Sequence, residues 1–164
     1  MRKNLRHKNL EDLPLPLFVS ATNFIDGRQC IFSKGNIVDA VLAASSIPGL
    51  FQPVFIDEVP YVDGGLYNNL PVEPFQDEKQ NVIAVYVNPI APFNKTSSMA
   101  QTLDRSFHLS FAHTVRQSAE GCKMYIEPPE LCQFGLFEVP KLAAIYTVGY
   151  EYARKMMGDM RYEI

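Results

Sequence analysis

The sequence has no long block of one charge, no closely spaced cysteine pair, and no apolar run long enough to cross a bilayer. Each absence removes a class of function. Net charge is −3 over 164 residues, whereas a nucleic-acid binder would present a basic face. Arg2, Lys3, Arg6 and Lys8 make only a short basic cluster, read as a solvated helix end. The three cysteines, Cys30, Cys122 and Cys132, form no C-x-x-C pair, so reduced thiols are expected rather than a disulfide framework. His7, His108 and His113 have no zinc-ligand spacing, and no metal is expected. Internal repeats and low-complexity tracts are missing too. No signal-like segment opens the chain. Taken as it stands, the sequence fits the cytoplasm or a membrane surface; if it is the C-terminal part of a longer protein, it says nothing of location.

What is present reads as globular. Hydrophobic residues make up 47% of the chain and charged residues 20%. A chain of this length buries about 68–70% of its unfolded surface, enough for a core. After Pro14-Leu15-Pro16, the run Leu17–Asn23 predicts a buried strand. Asp26-Gly27 is a hairpin-turn dipeptide leading to a second strand, Gln29–Ser33. Asn36 caps an expected helix from Ile37 to about Ser45, ended by Pro48-Gly49. Gln52–Val72 is rich in Pro, Gly and Asn and predicts irregular chain.

Asn81–Asn88 is a continuous apolar run, as in a parallel strand covered on both faces. Leu103, Phe107, Phe111, Val115 and Ala119 form one stripe of a helix over Ser98–Gly121. Lys123–Glu127 predicts a short strand stopped by Pro128-Pro129, and Leu142–Met157 a closing helix interrupted at Gly149. The alternation predicts an α/β fold: a mainly parallel sheet flanked by helices, in a single domain portion over residues 1–164.

Two segments carry the functional argument. Ala43–Val54 reads Ala-Ala-Ser-Ser-Ile-Pro-Gly-Leu-Phe-Gln-Pro-Val, and Tyr61–Val72 reads Tyr-Val-Asp-Gly-Gly-Leu-Tyr-Asn-Asn-Leu-Pro-Val. Alone, Asp63-Gly64-Gly65 is a turn signal, with the aspartate ordering its own backbone. With Leu15–Asn23, Val82–Val87 and Val148–Ala153 in the same order, however, the chain resembles the patatin-like phospholipases and acyl hydrolases over essentially its whole length. The resemblance is to the C-terminal part of that domain.

That family hydrolyses lipid esters with a serine–aspartate dyad and needs no metal, nucleotide or flavin cofactor. By resemblance Asp63 is the general base, in a loop supported by Gly64, Gly65, Asn68 and Asn69, with Ser46 and Pro48 in the pocket wall. A serine hydroxyl is a poor nucleophile until a positioned base takes its proton. Burial beside Tyr61, Val62 and Leu66 is expected to make the Asp63 carboxylate a stronger base.

The family's nucleophile lies in G-x-S-x-G, a strand-to-helix elbow, and this sequence contains no such pattern and no glycine-rich oxyanion loop. Ser46 is open to two readings, nucleophile or packing residue, and the second fits its place at a helix end. Two functions therefore stand. One is the base-bearing portion of a lipid acyl hydrolase, inactive alone, with an acyl-ester substrate. The other is a non-catalytic, self-associating module derived from such an enzyme. Either implies a missing N-terminal half or a homo-oligomer as partner, since Leu17–Asn23 would otherwise leave an open sheet edge.

Overall fold

The structure, a computed structural model, describes residues 5–93, 99–135 and 138–158. They fall into two compact units, Met1–Pro74 and Phe75–Ile164. Arg2 and Lys3 of the basic cluster lie outside the described residues. Arg6 and Lys8 are exposed but not helical; among the described residues the first helical turn is a short 3-10 segment at Leu10–Asp12.

The first unit is built on four strands: β1 (Val19–Asn23), β2 (Gln29–Phe32), β3 (Val54–Ile56) and β4 (Val59–Asp63). Their order is β2-β1-β4-β3, and every pairing is antiparallel. The α/β composition is as expected, but this sheet is not parallel. For the β1–β2 and β3–β4 pairs the reason is connection length. Parallel neighbours need a crossover of about a dozen residues or more, whereas tight turns allow only antiparallel return. β1 and β2 are joined through the Asp26-Gly27 turn, where Gly27 has φ +73° and donates its N–H to the Asn23 carbonyl at 2.9 Å. β3 and β4 are joined by Asp57-Glu58, both with positive φ (49° and 64°).

Residues 54–63 are thus a hairpin and not irregular chain. The turn lacks the glycine that usually announces left-handed residues, and Pro60 inside β4 further hides the strand. β1 has neighbours on both sides, so the edge expected to be open at Leu17–Asn23 is closed by the chain's own hairpins.

Helix α1 (Ile37–Ala44) packs on β1 and β4. Asn36 caps it as its sequence position implies, accepting the N–H groups of Val38 at 2.9 Å and Asp39 at 3.3 Å. Leu10, Val19, Ile37 and Ala40 form the buried cluster beneath the helix, joined by Leu13, Phe32, Val41 and Ala44. Phe32 also meets Tyr61 edge-on, with ring centroids 5.0 Å apart.

The second unit contains β5 (Ile83–Val85) and β6 (Met124–Ile126), which pair in parallel. Here the expected parallel pairing is found, but coverage differs. Ala84 and Tyr86 are buried, while Ile83, Val85 and Val87 alternate to an exposed side. The apolar run is therefore covered on one face and not on both. Helix α2 (Met99–Ala119) buries its stripe only toward its C-terminal end, at Val115, and Leu103 is 60% exposed. The Phe107 side chain lies outside the described residues. Helix α3 (Leu142–Gly158) runs through Gly149 without interruption. No helix among the described residues is long and apolar enough to cross a membrane.

The cap on α1 can be tested directly. Asn36→Ala removes an acceptor for two otherwise unpaired N–H groups in an eight-residue helix. A stability loss of about 0.5–2 kcal/mol is expected, read as a lower urea midpoint at unchanged slope.

Candidate functional site

Asp63 ends β4 and caps the 3-10 turn Gly64–Leu66. Its position is set by backbone contacts on two sides. Its N–H donates to the Ser46 carbonyl at 3.0 Å. Its carbonyl accepts the Thr22 hydroxyl, also at 3.0 Å. The side chain orders the turn, since Oδ1 accepts the Gly65 N–H at 2.7 Å. Among the described residues, the second carboxylate oxygen accepts no hydrogen bond.

The ladder decides which way Asp63 faces. It lies opposite Ala21, and Val62 lies opposite Thr22. Asp63 therefore shares a sheet face with Ala21 and Val19, the face on which Val19 meets the helix α1 cluster. The carboxyl is half-buried, and desolvation pushes its pKa above the ordinary aspartate value; the Gly65 N–H pulls it the other way and is the smaller influence. Of the three residues expected to wall this carboxyl, only Tyr61 shares its sheet face. Val62 alternates to the opposite face and is buried there, while Leu66 is 38% exposed.

Gly64 and Gly65 are required by close approach, not by unusual dihedrals. A Cβ at Gly64 would lie 2.3 Å from the Ser20 carbonyl oxygen. One at Gly65 would lie 2.8 Å from Asn69 Oδ1 and 3.0 Å from Asp63 Oδ1. The loop that follows is held by Asn68, which is buried. Its N–H donates to the Gly64 carbonyl at 3.0 Å, its Oδ1 accepts the Leu70 N–H at 3.0 Å, and its Nδ2 donates to Glu73 Oε1 at 2.6 Å. Asn69 is half-buried with its Oδ1 against Gly65.

Ser46 is buried, and its hydroxyl donates to the Leu42 carbonyl at 2.7 Å, one turn back in α1. That bond engages the hydroxyl proton locally, while the Ser46 carbonyl holds Asp63. Pro48 is exposed beside the left-handed Gly49, whose φ is +85°. Thr22, Gln29 and Glu73 were not legible as site residues. Each acts across distant sequence, and no local motif marks it. A separate cleft of about 810 Å³ is lined by residues of the second unit alone, among them Val87, Arg105, His108 and Tyr146, and includes none of the sequence candidates.

A family model described as patatin-like phospholipase matches residues 1–75, the stretch that contains β1–β4, α1 and Asp63. Residues 1–75 are therefore similar to the patatin-like phospholipases. An uncharacterized NTE family protein of Mycobacterium tuberculosis (strain ATCC 25618 / H37Rv) is 47% identical over 62 residues, covering 38% of this chain and 11% of that protein. The lysophospholipase NTE1 of Candida albicans (strain SC5314 / ATCC MYA-2876) is 22% identical over 93% of this chain and 13% of its own length. That of Kluyveromyces lactis is 25% identical over 97% of this chain and 13% of its own length. The chain thus spans 11–13% of the length of these relatives.

The patatin-like turn depends on the Gly64–Ser20 approach. Gly64→Ala drives a methyl into backbone that cannot yield cheaply, and a loss of about 1–3 kcal/mol is expected. Gly149→Ala is the control: nothing lies within 4 Å of its added methyl, and helix propensity favours alanine by roughly 0.5–1 kcal/mol. Urea denaturation of both variants checks the contrast.

Proposed function

We propose that this chain supplies the general base, Asp63, of a serine–aspartate lipid acyl hydrolase. The observation that carries the proposal is a half-buried carboxyl at the end of β4, inside the patatin-like segment, with only one of its oxygens hydrogen-bonded among the described residues. Burial raises its proton affinity, which suits a base for a hydroxyl. The names of the fungal relatives and of the family support an acyl lipid, a phospholipid or lysophospholipid ester, as substrate.

In the proposed reaction, Asp63 takes the serine hydroxyl proton as the serine oxygen attacks the ester carbonyl carbon. The same proton passes to the departing alkoxide when the ester C–O bond breaks. A water molecule, deprotonated by the same carboxylate, then attacks the acyl carbon; the bond from that carbon to the serine oxygen breaks, the proton passes from Asp63 to the serine oxygen, and the fatty acid leaves. The serine and the oxyanion donors come from outside this sequence, from a further segment or a partner chain. Ser46 does not fill that role, because its hydroxyl is turned back onto α1.

The second reading, a self-associating module, is favoured by the exposed apolar row Ile83, Val85 and Val87. Light scattering across a concentration series separates the two. Concentration-dependent association of the chain, unaffected by a supplied nucleophile-bearing segment, would favour the module.

Asp63→Asn tests the base. In the complete enzyme it is expected to lower kcat by about 10²–10⁴-fold; near-normal turnover in a folded variant would exclude the role. Stability moves the other way. The folded pKa of Asp63 is raised, so the folded state binds more protons than the unfolded state between the two pKa values. Stability therefore falls as pH rises from the ordinary aspartate value through the folded one. A neutral amide escapes that penalty. Asp63→Asn is expected to unfold at an equal or higher urea midpoint at neutral pH, with the difference closing in acid.

A further inference from the structure

We propose that Glu73 is a positioning residue, whose carboxylate clamps the loop after Asp63 to the β1–β2 hairpin and so holds the Asp63 carboxyl in place. The proposal rests on the reading of Asp63 as the base. Its physical basis is a closed circuit of contacts. Glu73 Oε1 accepts Asn68 Nδ2 at 2.6 Å, and Glu73 Oε2 accepts Gln29 Nε2 at 3.2 Å. Gln29 Nε2 also donates to Ser20 Oγ at 3.2 Å. The Ser20 backbone is the surface against which Gly64 is pressed. The Asn68 N–H returns to the Gly64 carbonyl at 3.0 Å and closes the ring.

The chemistry of each member matters. A carboxylate offers two acceptor oxygens and no donor, so it can take one amide N–H from each side. Hydrogen bonds to an ionised acceptor are shorter and stronger than neutral ones. Residues 20–29 and 64–73 are far apart in sequence, and Glu73 bridges them from the first position of a 3-10 segment, Glu73–Asn81. Asn68, anchored at the same time to Leu70 and Gly64, transmits the clamp to the turn whose Gly65 N–H donates to Asp63 Oδ1. Without the clamp, the turn keeps its covalent path but loses the tie that holds it on β1, and water gains access to the Asp63 carboxyl.

The test removes both acceptors and then restores the tie without the charge. Glu73→Met keeps the side-chain length but leaves the Asn68 and Gln29 amides without the group that joins them. The Asp63 carboxyl titration, followed by carbon-13 NMR in high salt to screen the charge change, is expected to shift down toward the ordinary aspartate value. Hydrogen exchange at the Gly65 amide is expected to accelerate about tenfold or more, which corresponds to about 1.4 kcal/mol. Glu73→Gln lacks the same charge but restores the tie: its Oε1 accepts Asn68 Nδ2, its Nε2 donates to a Gln29 amide turned over, and the Ser20 hydroxyl turns from acceptor to donor.

Recovery of both readouts in Glu73→Gln supports the clamp. A folded Glu73→Met with unaltered Asp63 titration and Gly65 exchange overturns it. If Glu73→Met unfolds, a Glu73→Gln variant that folds with the original titration supports the clamp, and one that stays unfolded overturns it. Neither readout needs turnover, so the result is independent of whether Asp63→Asn abolishes activity.

Discussion

The contact on which this site depends is the passage of Gly64 over the Ser20 backbone. With 2.3 Å between a hypothetical Cβ and the Ser20 oxygen, only glycine allows the chain to leave β4 here and turn at once into the 3-10 segment. The antiparallel ladder from β1 delivers Asp63 to that point in fixed register, with Ala21 opposite. Ser46 and Thr22 then hold the Asp63 peptide groups from the end of α1 and from β1. The carboxylate is therefore placed by its own backbone before any side chain touches it. That arrangement suits a group that must leave one oxygen uncommitted.

Placement has a thermodynamic consequence. A carboxyl half-buried beneath a helix resists ionisation, and the single Gly65 N–H only partly offsets the lost water. A purely structural aspartate at a turn would do better fully solvated or fully hydrogen-bonded. The Asp63 carboxyl has neither condition. Local instability of this kind concentrates where chemistry is done, because a base must be able to take a proton. The same logic explains the density of polar ties in residues 64–73. They hold a loop that has little apolar burial beyond Leu70 and Val72, and hydrogen bonds to buried Asn68 replace packing as the source of order.

Much of the first unit was legible in the sequence because its signals are local. Asp26-Gly27 announces a hairpin, and Asn36 announces a cap. The apolar run before Asn23 marks a strand. The hairpin at 54–63 was hidden because its turn uses Asp57 and Glu58 in left-handed conformations without glycine and because Pro60 sits inside its second strand. Sheet direction was not legible either. An apolar run records burial, and burial does not say which way the neighbouring strand travels. In the second unit the run at 82–87 implied two covered faces, yet its covered side consists of Ala84 and Tyr86, while Ile83 and Val85 face outward.

The sequence by itself determined most of the elements outside the 54–63 hairpin, the candidate aspartate and the family resemblance, since each rests on residues within a few positions of one another. Only the tertiary structure decided which groups act on Asp63. Gln29, Thr22 and Ser46 reach it or its loop from up to about 40 residues away in sequence, through a register and a helix position that no local pattern encodes. Hydrogen bonding is directional and short-ranged, so its partners are chosen when strands and helix have already met. Hydrophobic pattern, being non-directional, shows in the chain itself which segments are buried, but leaves open the few ångströms that decide which groups meet one carboxylate.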